Sequence, residues 1–185
     1  MEKEKKSWFK TIDLAYMGLF VALITVCSWI NIPTTVPFTL QTFAIFAAVA
    51  ILGLERGTIA VVAYIILGAV GVPVFAGFSG GPSVLLGTTG GYIIGFIFSA
   101  LITGGIIKAF GKKVWVMIIA MLLGLLVCYA FGTVWFMQVF AKQSGEVGLV
   151  TALGWCVFPF IIPDIIKIVL ALVICKRLAG IIKAD

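Results

Sequence analysis

Charge is missing from most of this chain, and it is missing in long blocks. Forty-one uncharged residues run from Leu14 to Leu54, 51 from Gly57 to Ile107 and 28 from Val114 to Ala141. A membrane-spanning helix takes about 20 predominantly apolar residues. The first two blocks each have room for two spans and a turn, and the third for one. Only 11% of the 185 residues are charged, while 63% are apolar. Soluble domains carry roughly 25% charge, so too few charges are present to cover a water-soluble globule. Disorder requires the opposite composition, poor in apolar residues.

Local punctuation divides the blocks. Asn31-Ile32-Pro33-Thr34-Thr35-Val36-Pro37 interrupts the first, and a crowd of Gly, Pro, Ser and Thr between Gly71 and Gly91 interrupts the second. This predicts an all-α membrane protein with six transmembrane helices, at about 12–30, 39–55, 57–72, 90–108, 114–136 and 153–176. The second and third are short for full spans. No internal repeat or linker divides the sequence, so residues 1–185 read as a single integral membrane domain. The N-terminal apolar run closes on Cys27-Ser28-Trp29-Ile30 without a small-x-small cleavage site, so it reads as the first span and not a cleaved leader.

Orientation follows from the basic residues. With the N-terminus inside, 11 of the 13 Lys and Arg fall on cytoplasmic segments, Lys142 falls outside and Lys167 falls within the sixth span. Both termini are therefore expected in the cytoplasm. Trp8 and Trp115 lie at expected inner boundaries, and Trp29, Trp135 and Trp155 at outer ones, where amphipathic rings collect. The net charge of +6 is thus a topology signal. Lys108, Lys112 and Lys113 are too few, and lack the interleaved aromatics, for a nucleic-acid patch.

Several chemistries are excluded. Without histidine there is no Ser-His-Asp triad, HExxH zinc site or histidine proton relay. Cys27, Cys128, Cys156 and Cys175 are far apart, form no CxxC and read as plain helix residues. No Walker motif is present, so the chain itself is not expected to hydrolyse ATP.

Asp164 and Lys167 are the most informative side chains. Insertion scales put Asp or Lys at the centre of a membrane helix at a cost of roughly 2.5–3.5 kcal/mol each. Spacing i, i+3 puts both on one helix face, and Pro163 suits a helix first turn, where its missing N–H is no loss. A structural or interfacial ion pair and a ligand site both fit. In the latter, the carboxylate accepts ligand N–H groups and the ammonium donates to a ligand oxygen. The uncharged segment Gly71–Tyr92, with seven glycines and two prolines, reads as a structured lid or re-entrant element. Non-helical backbone at membrane depth survives only against protein or a cavity, and glycine lets amides approach a ligand. Thr39, Gln41 and Thr42 offer neutral donors and acceptors. A capped helix start and a binding role stand equal there. Ala15, Gly18 and Ala22 place small residues on one face of the first span, which suits either internal packing or a partner helix.

The stretch GVPVFAGFSGGPSVLLGTTGGYIIGF (71–96), with VPFTLQTFAI (36–45) before it and PDIIK (163–167) near the end, resembles the BioY family. These are the biotin-specific substrate-capture subunits, or S components, of energy-coupling-factor (ECF) vitamin transporters. The resemblance covers nearly the whole chain. One departure is Thr88, where the family usually has proline in GPTGGY.

The resemblance implies biotin binding from the outer side, in a prokaryotic cell membrane, with no other cofactor. It also implies transport with a transmembrane coupling protein and two cytoplasmic ATPase subunits. Ala15, Gly18 and Ala22 match the positions that meet the coupling protein, and Asp164 and Lys167 those that hold the vitamin head. The implied site also includes Phe75 and Tyr92 against the bicyclic body. Gln41 and the amides of Ser79, Gly80, Gly81, Gly90 and Gly91 complete it. The alternative is an ion-coupled secondary transporter for another small solute, with Asp164 as the coupled group.

Overall fold

The computed structural model describes residues 10–178. Lys3, Lys5, Lys6, Trp8 and Lys183, which entered the topology argument, lie outside the described residues. The uncharged blocks fold into helices. In chain order these are α1 (Thr11–Trp29), α2 (Gln41–Leu52), α3 (Leu54–Ala69), α4 (Pro82–Leu86), α5 (Gly90–Phe110), α6 (Val114–Ser144), α7 (Leu149–Cys156) and α8 (Ile161–Leu178). Among the described residues, four segments are long and apolar enough to cross a membrane: α1, α5, α6 and the α7–α8 stretch taken together. The connection before α2 contains a small antiparallel ribbon, β1 (Asn31–Ile32) against β2 (Phe38–Thr39), with Asn31 opposite Thr39. Nothing in the sequence pattern announces that ribbon.

α2 is the hub. Ten of its 12 residues are buried, and it packs against α1, α3, α5 and α8. A helix apolar on all sides belongs inside a bundle, and Ala44, Ala47, Ala48 and Ala50 let neighbouring backbones come close. At about 1.5 Å per residue it is only about 18 Å long. A single residue, Gly53 at φ 84°, turns the chain from α2 into α3. That backbone region is costly for any residue with a Cβ. The core lies in two parts. Met17, Phe20, Phe46, Ile168 and Cys175 belong to one. Phe75, Tyr92, Phe136 and Phe160 belong to the other, which surrounds a cavity described below.

Ion pairs gather the basic helix ends at one end of the bundle. Arg56 Nε lies 3.3 Å from the carboxylate of buried Asp13, joining α3 to α1. Lys108 Nζ lies 2.9 Å from Glu55, joining α5 to α3. At the opposite end the Trp29 indole donates to the Pro73 carbonyl at 2.9 Å, and Trp135 donates to the Gly87 carbonyl at 3.0 Å. Both bonds pin the glycine-rich segment to the helices.

Two expected elements differ. The sequence predicts a fifth span ending at residue 136, but α6 continues to Ser144, giving 31 residues. It predicts the sixth as one helix over 153–176, but that span is broken into α7 and α8 by a 3-10 turn at Phe158–Phe160. Pro159 has no N–H to offer the carbonyl of residue 155, and its ring crowds that carbonyl. The last bond of α7 is Val157 N to Leu153 O at 2.9 Å, followed by Phe160 N to Val157 O at 2.9 Å.

Gly57 marks the tight crossing of α3 on α2. A Cβ there would stand 2.6 Å from the Val49 Cα. Gly57→Ala should therefore destabilise the protein by about 1–3 kcal/mol through overpacking, read as a lower melting temperature in detergent. Gly18→Ala, with nothing within 4 Å of the added Cβ, should leave melting unchanged.

Candidate functional site

The break between α7 and α8 opens beside a cavity of about 140 Å³. Its wall draws on α2 (Gln41, Thr42), the glycine-rich segment (Phe75, Ala76, Ser79), α5 (Tyr92, Phe96), α6 (Cys128, Tyr129) and α7–α8 (Cys156, Phe160, Asp164, Lys167). Most of the lining is apolar, with a few polar groups converging on it. That is the usual character of a small-molecule site.

Asp164 and Lys167 stand together in the first two turns of α8, 2% and 3% exposed. Lys167 Nζ donates to Asp164 Oδ1 at 2.7 Å. Thr42 Oγ1 donates to the same oxygen at 3.0 Å, and the Tyr129 hydroxyl donates to Oδ2. One carboxylate is thus held from α2, α6 and α8. The ammonium also lies 4.2 Å above the Phe38 ring, which stacks on Phe160. A cation over an aromatic face is stabilised by the ring quadrupole. A carboxylate has about four acceptor positions and an ammonium three donors. The protein bonds among the described residues use three of the former and one of the latter. The pair therefore keeps one acceptor position and two N–H groups for a ligand.

A second polar chain runs behind the opposite wall. Thr39 Oγ1 donates to Gln41 Oε1 at 2.9 Å, Gln41 Nε2 donates to the Tyr64 hydroxyl at 2.6 Å, and that hydroxyl donates to the Val74 carbonyl at 3.1 Å. Ser28 Oγ on α1 lies 2.5 Å from the same carbonyl. Tyr64 meets Phe75 edge-on, and the Phe75 ring fills the space a side chain at Gly68 would need. These contacts hold the irregular backbone at Val74–Phe75 against protein groups, as non-helical backbone within a membrane protein requires where it is buried.

Of the residues singled out in the sequence, Asp164, Lys167, Gln41, Phe75, Ser79 and Tyr92 share this cavity. Gly80, Gly81, Gly90 and Gly91 do not line it. A Cβ at Gly80 would lie 2.4 Å from the Val72 carbonyl, at Gly90 1.8 Å from the Leu85 carbonyl, and at Gly91 2.2 Å from Trp135 Cβ. Gly81 carries φ +99°. These glycines permit close chain crossings and a left-handed turn. Ala15, Gly18 and Ala22 are exposed on one face of α1, and a Cβ added at Gly18 would meet nothing in this chain. Tyr129 does not stand out in the sequence, although a tyrosine in mid-span is the signal that could have found it. Cys128 and Cys156, which read as plain helix residues, are free thiols in the wall. Among the described residues no group of three or more Cys, Asp or Glu is placed to hold a metal ion.

The fold and the cavity define a multi-pass helical membrane protein with a small, mostly apolar pocket between its helices on which a few polar groups converge. Comparison with known proteins narrows this. The sequence pattern of the BioY family matches residues 1–184. The chain is 41% identical to the biotin transporter BioY of Thermotoga maritima, over 90% of this chain and 95% of that one. It is likewise 41% identical to the probable biotin transporter BioY of Pyrococcus horikoshii, over 92% and 98%. Its structure is similar to a crystal structure of the S-component for biotin from an ECF-type ABC transporter. That match has a TM-score of 0.82 and 31% identity, and covers 97% of this chain and 95% of the other. The chain belongs to the BioY family.

Removing one member of a buried ion pair typically costs about 3–5 kcal/mol, because the other charge is left uncompensated. Lys167→Met should therefore lower the melting temperature sharply. Adding Asp164→Asn to it should recover a large part of the loss, measured by thermal unfolding of the detergent-solubilised protein.

Proposed function

We propose that this protein captures biotin with high affinity as the substrate-specificity subunit of an ECF-type, ATP-driven vitamin transporter. It is a transport subunit and not an enzyme. The observation that carries this reading is a buried Asp164–Lys167 pair with unused valences, set in an apolar cavity of a BioY-family chain.

The head of biotin is a cyclic urea, which offers N–H and C=O groups side by side. Asp164 and Lys167 offer an acceptor and donors side by side. One ureido N–H pairs with the open acceptor position of Asp164 and the ureido oxygen with Lys167. A ligand carboxylate against Lys167 would stand beside the Asp164 carboxylate, where low dielectric amplifies repulsion. The bicyclic body packs on Phe75, Tyr92, Phe96 and Phe160. The glycine-rich segment closes over the ligand.

The protein forms one membrane domain of six transmembrane segments in a prokaryotic cell membrane, with both termini cytoplasmic. The basic end of the bundle faces the cytoplasm, as the 11 basic residues assigned there support. The exposed face of Ala15, Gly18 and Ala22 meets the transmembrane coupling protein, and two cytoplasmic ATPases supply the energy for release. Asp164 already accepts three hydrogen bonds, which disfavours ion-coupled secondary transport.

Asp164→Asn should weaken biotin binding by at least about tenfold, the scale of a lost hydrogen bond to a charged group. Titration calorimetry on the purified protein measures this, and unchanged affinity would remove the site. Gly18→Trp should abolish co-purification with the coupling protein and ATPases while leaving biotin affinity intact. Loss of binding with assembly preserved would overturn the partner assignment.

A further inference from the structure

The chain of bonds behind Gln41 has a direction. Its fixed point is the Val74 carbonyl, which can only accept. The Tyr64 hydroxyl, 3.1 Å away, spends its one proton there. Ser28 Oγ stands beside it, 2.5 Å from the same carbonyl, and the Tyr64 oxygen accepts from Gln41 Nε2, 2.6 Å away, so the amide nitrogen of Gln41 faces Tyr64. Gln41 Oε1 then faces the Thr39 hydroxyl, which donates to it at 2.9 Å. Gln41, Tyr64 and Val74 are 5%, 0% and 5% exposed, so water does not compete for these protons. Gln41 keeps one N–H with no acceptor among the described residues, and Gln41 lines the cavity. Tyr64 does not line it.

We propose that Tyr64 is a specificity-determining positioning residue. It locks the Gln41 side chain so that the cavity receives an N–H donor and not a carbonyl, which selects ligands whose tail ends in a carboxylate. The proposal rests on the biotin reading above, in which the ureido head occupies Asp164 and Lys167 and leaves the carboxylate to the neutral wall. Gln41 also opens α2, whose first-turn N–H groups and positive dipole end favour an anion. Without Tyr64 the Gln41 amide is free to turn over, and its carbonyl can face the ligand as readily as its N–H. Replacing Gln41 by glutamate removes the donor outright.

The test compares biotin with biotinamide, which keeps the ureido head but replaces the carboxylate by a neutral group that both donates and accepts. Affinities of the full chain in detergent are measured by titration calorimetry. Tyr64→Phe should narrow the preference for biotin over biotinamide by about tenfold, the worth of one charge-assisted hydrogen bond. Gln41→Glu should reverse it. A purely structural role for Tyr64 would weaken both ligands equally. An unchanged ratio in Tyr64→Phe overturns the proposal. Should that variant fail to fold, Gln41→Glu decides, and equal loss of both ligands overturns it. If Asp164→Asn abolishes biotin binding while these ratios stay fixed, this inference fails alone. If the unaltered protein binds neither ligand, the biotin reading fails with it.

Discussion

The arrangement of this protein turns on a carboxylate and an ammonium 2.7 Å apart in a place that water hardly reaches. Neither ion is tolerable alone at that depth, and even together they need further partners. Thr42 and Tyr129 supply them from α2 and α6. That requirement brings three helices to one point, and the space left between them becomes the cavity. The pair is neutral overall, yet it retains unused donors and an acceptor position. A neutral ligand head with its own adjacent donor and acceptor completes the set without adding a buried charge.

The second constraint concerns backbone. Two stretches beside the cavity are not helical: the 3-10 turn at Phe158–Phe160 and the segment from Gly71 to Gly81. Each leaves amide and carbonyl groups that lipid cannot satisfy. Protein groups satisfy them instead. In the second, Tyr64 and Ser28 bond Val74, Trp29 bonds Pro73 and the Gly81 amide bonds Gly68; in the first, the Phe160 amide bonds Val157; and just beyond the second, Trp135 bonds Gly87. The side-chain donors come from α1, α3 and α6, so three helices hold the irregular wall.

Much of this was legible in the sequence because lipid is an unforgiving solvent. Long uncharged blocks marked the helices, and two charges inside a span marked the centre of the site. The break of the last span was not legible. Prolines occur in unbroken membrane helices too, and only the surrounding packing separates a kink at Pro159 from an interruption. Four of the glycines assigned to the ligand stand elsewhere, because glycine admits a ligand and a neighbouring backbone equally well. Gly90 and Gly91 are pressed against Leu85 and Trp135. Tyr129 escapes notice because its ring is as apolar as its neighbours, and the one signal in the sequence, a hydroxyl in mid-span, does not say which group it bonds.

The order of the chain has a consequence for how such a protein is made. Thr42, Tyr129 and Asp164 meet across separations of 122 and 35 residues. A chain is synthesised from its N-terminus, so the donors on α2 and α6 are in place before the acceptor emerges on α8. Asp164 and Lys167 both arrive with the final helix, after the groups that bond Asp164 have been made. Nascent chains that stop short of α8 carry neither of these charges into the interior of the bundle. Competence to bind ligand thus coincides with completion of the fold.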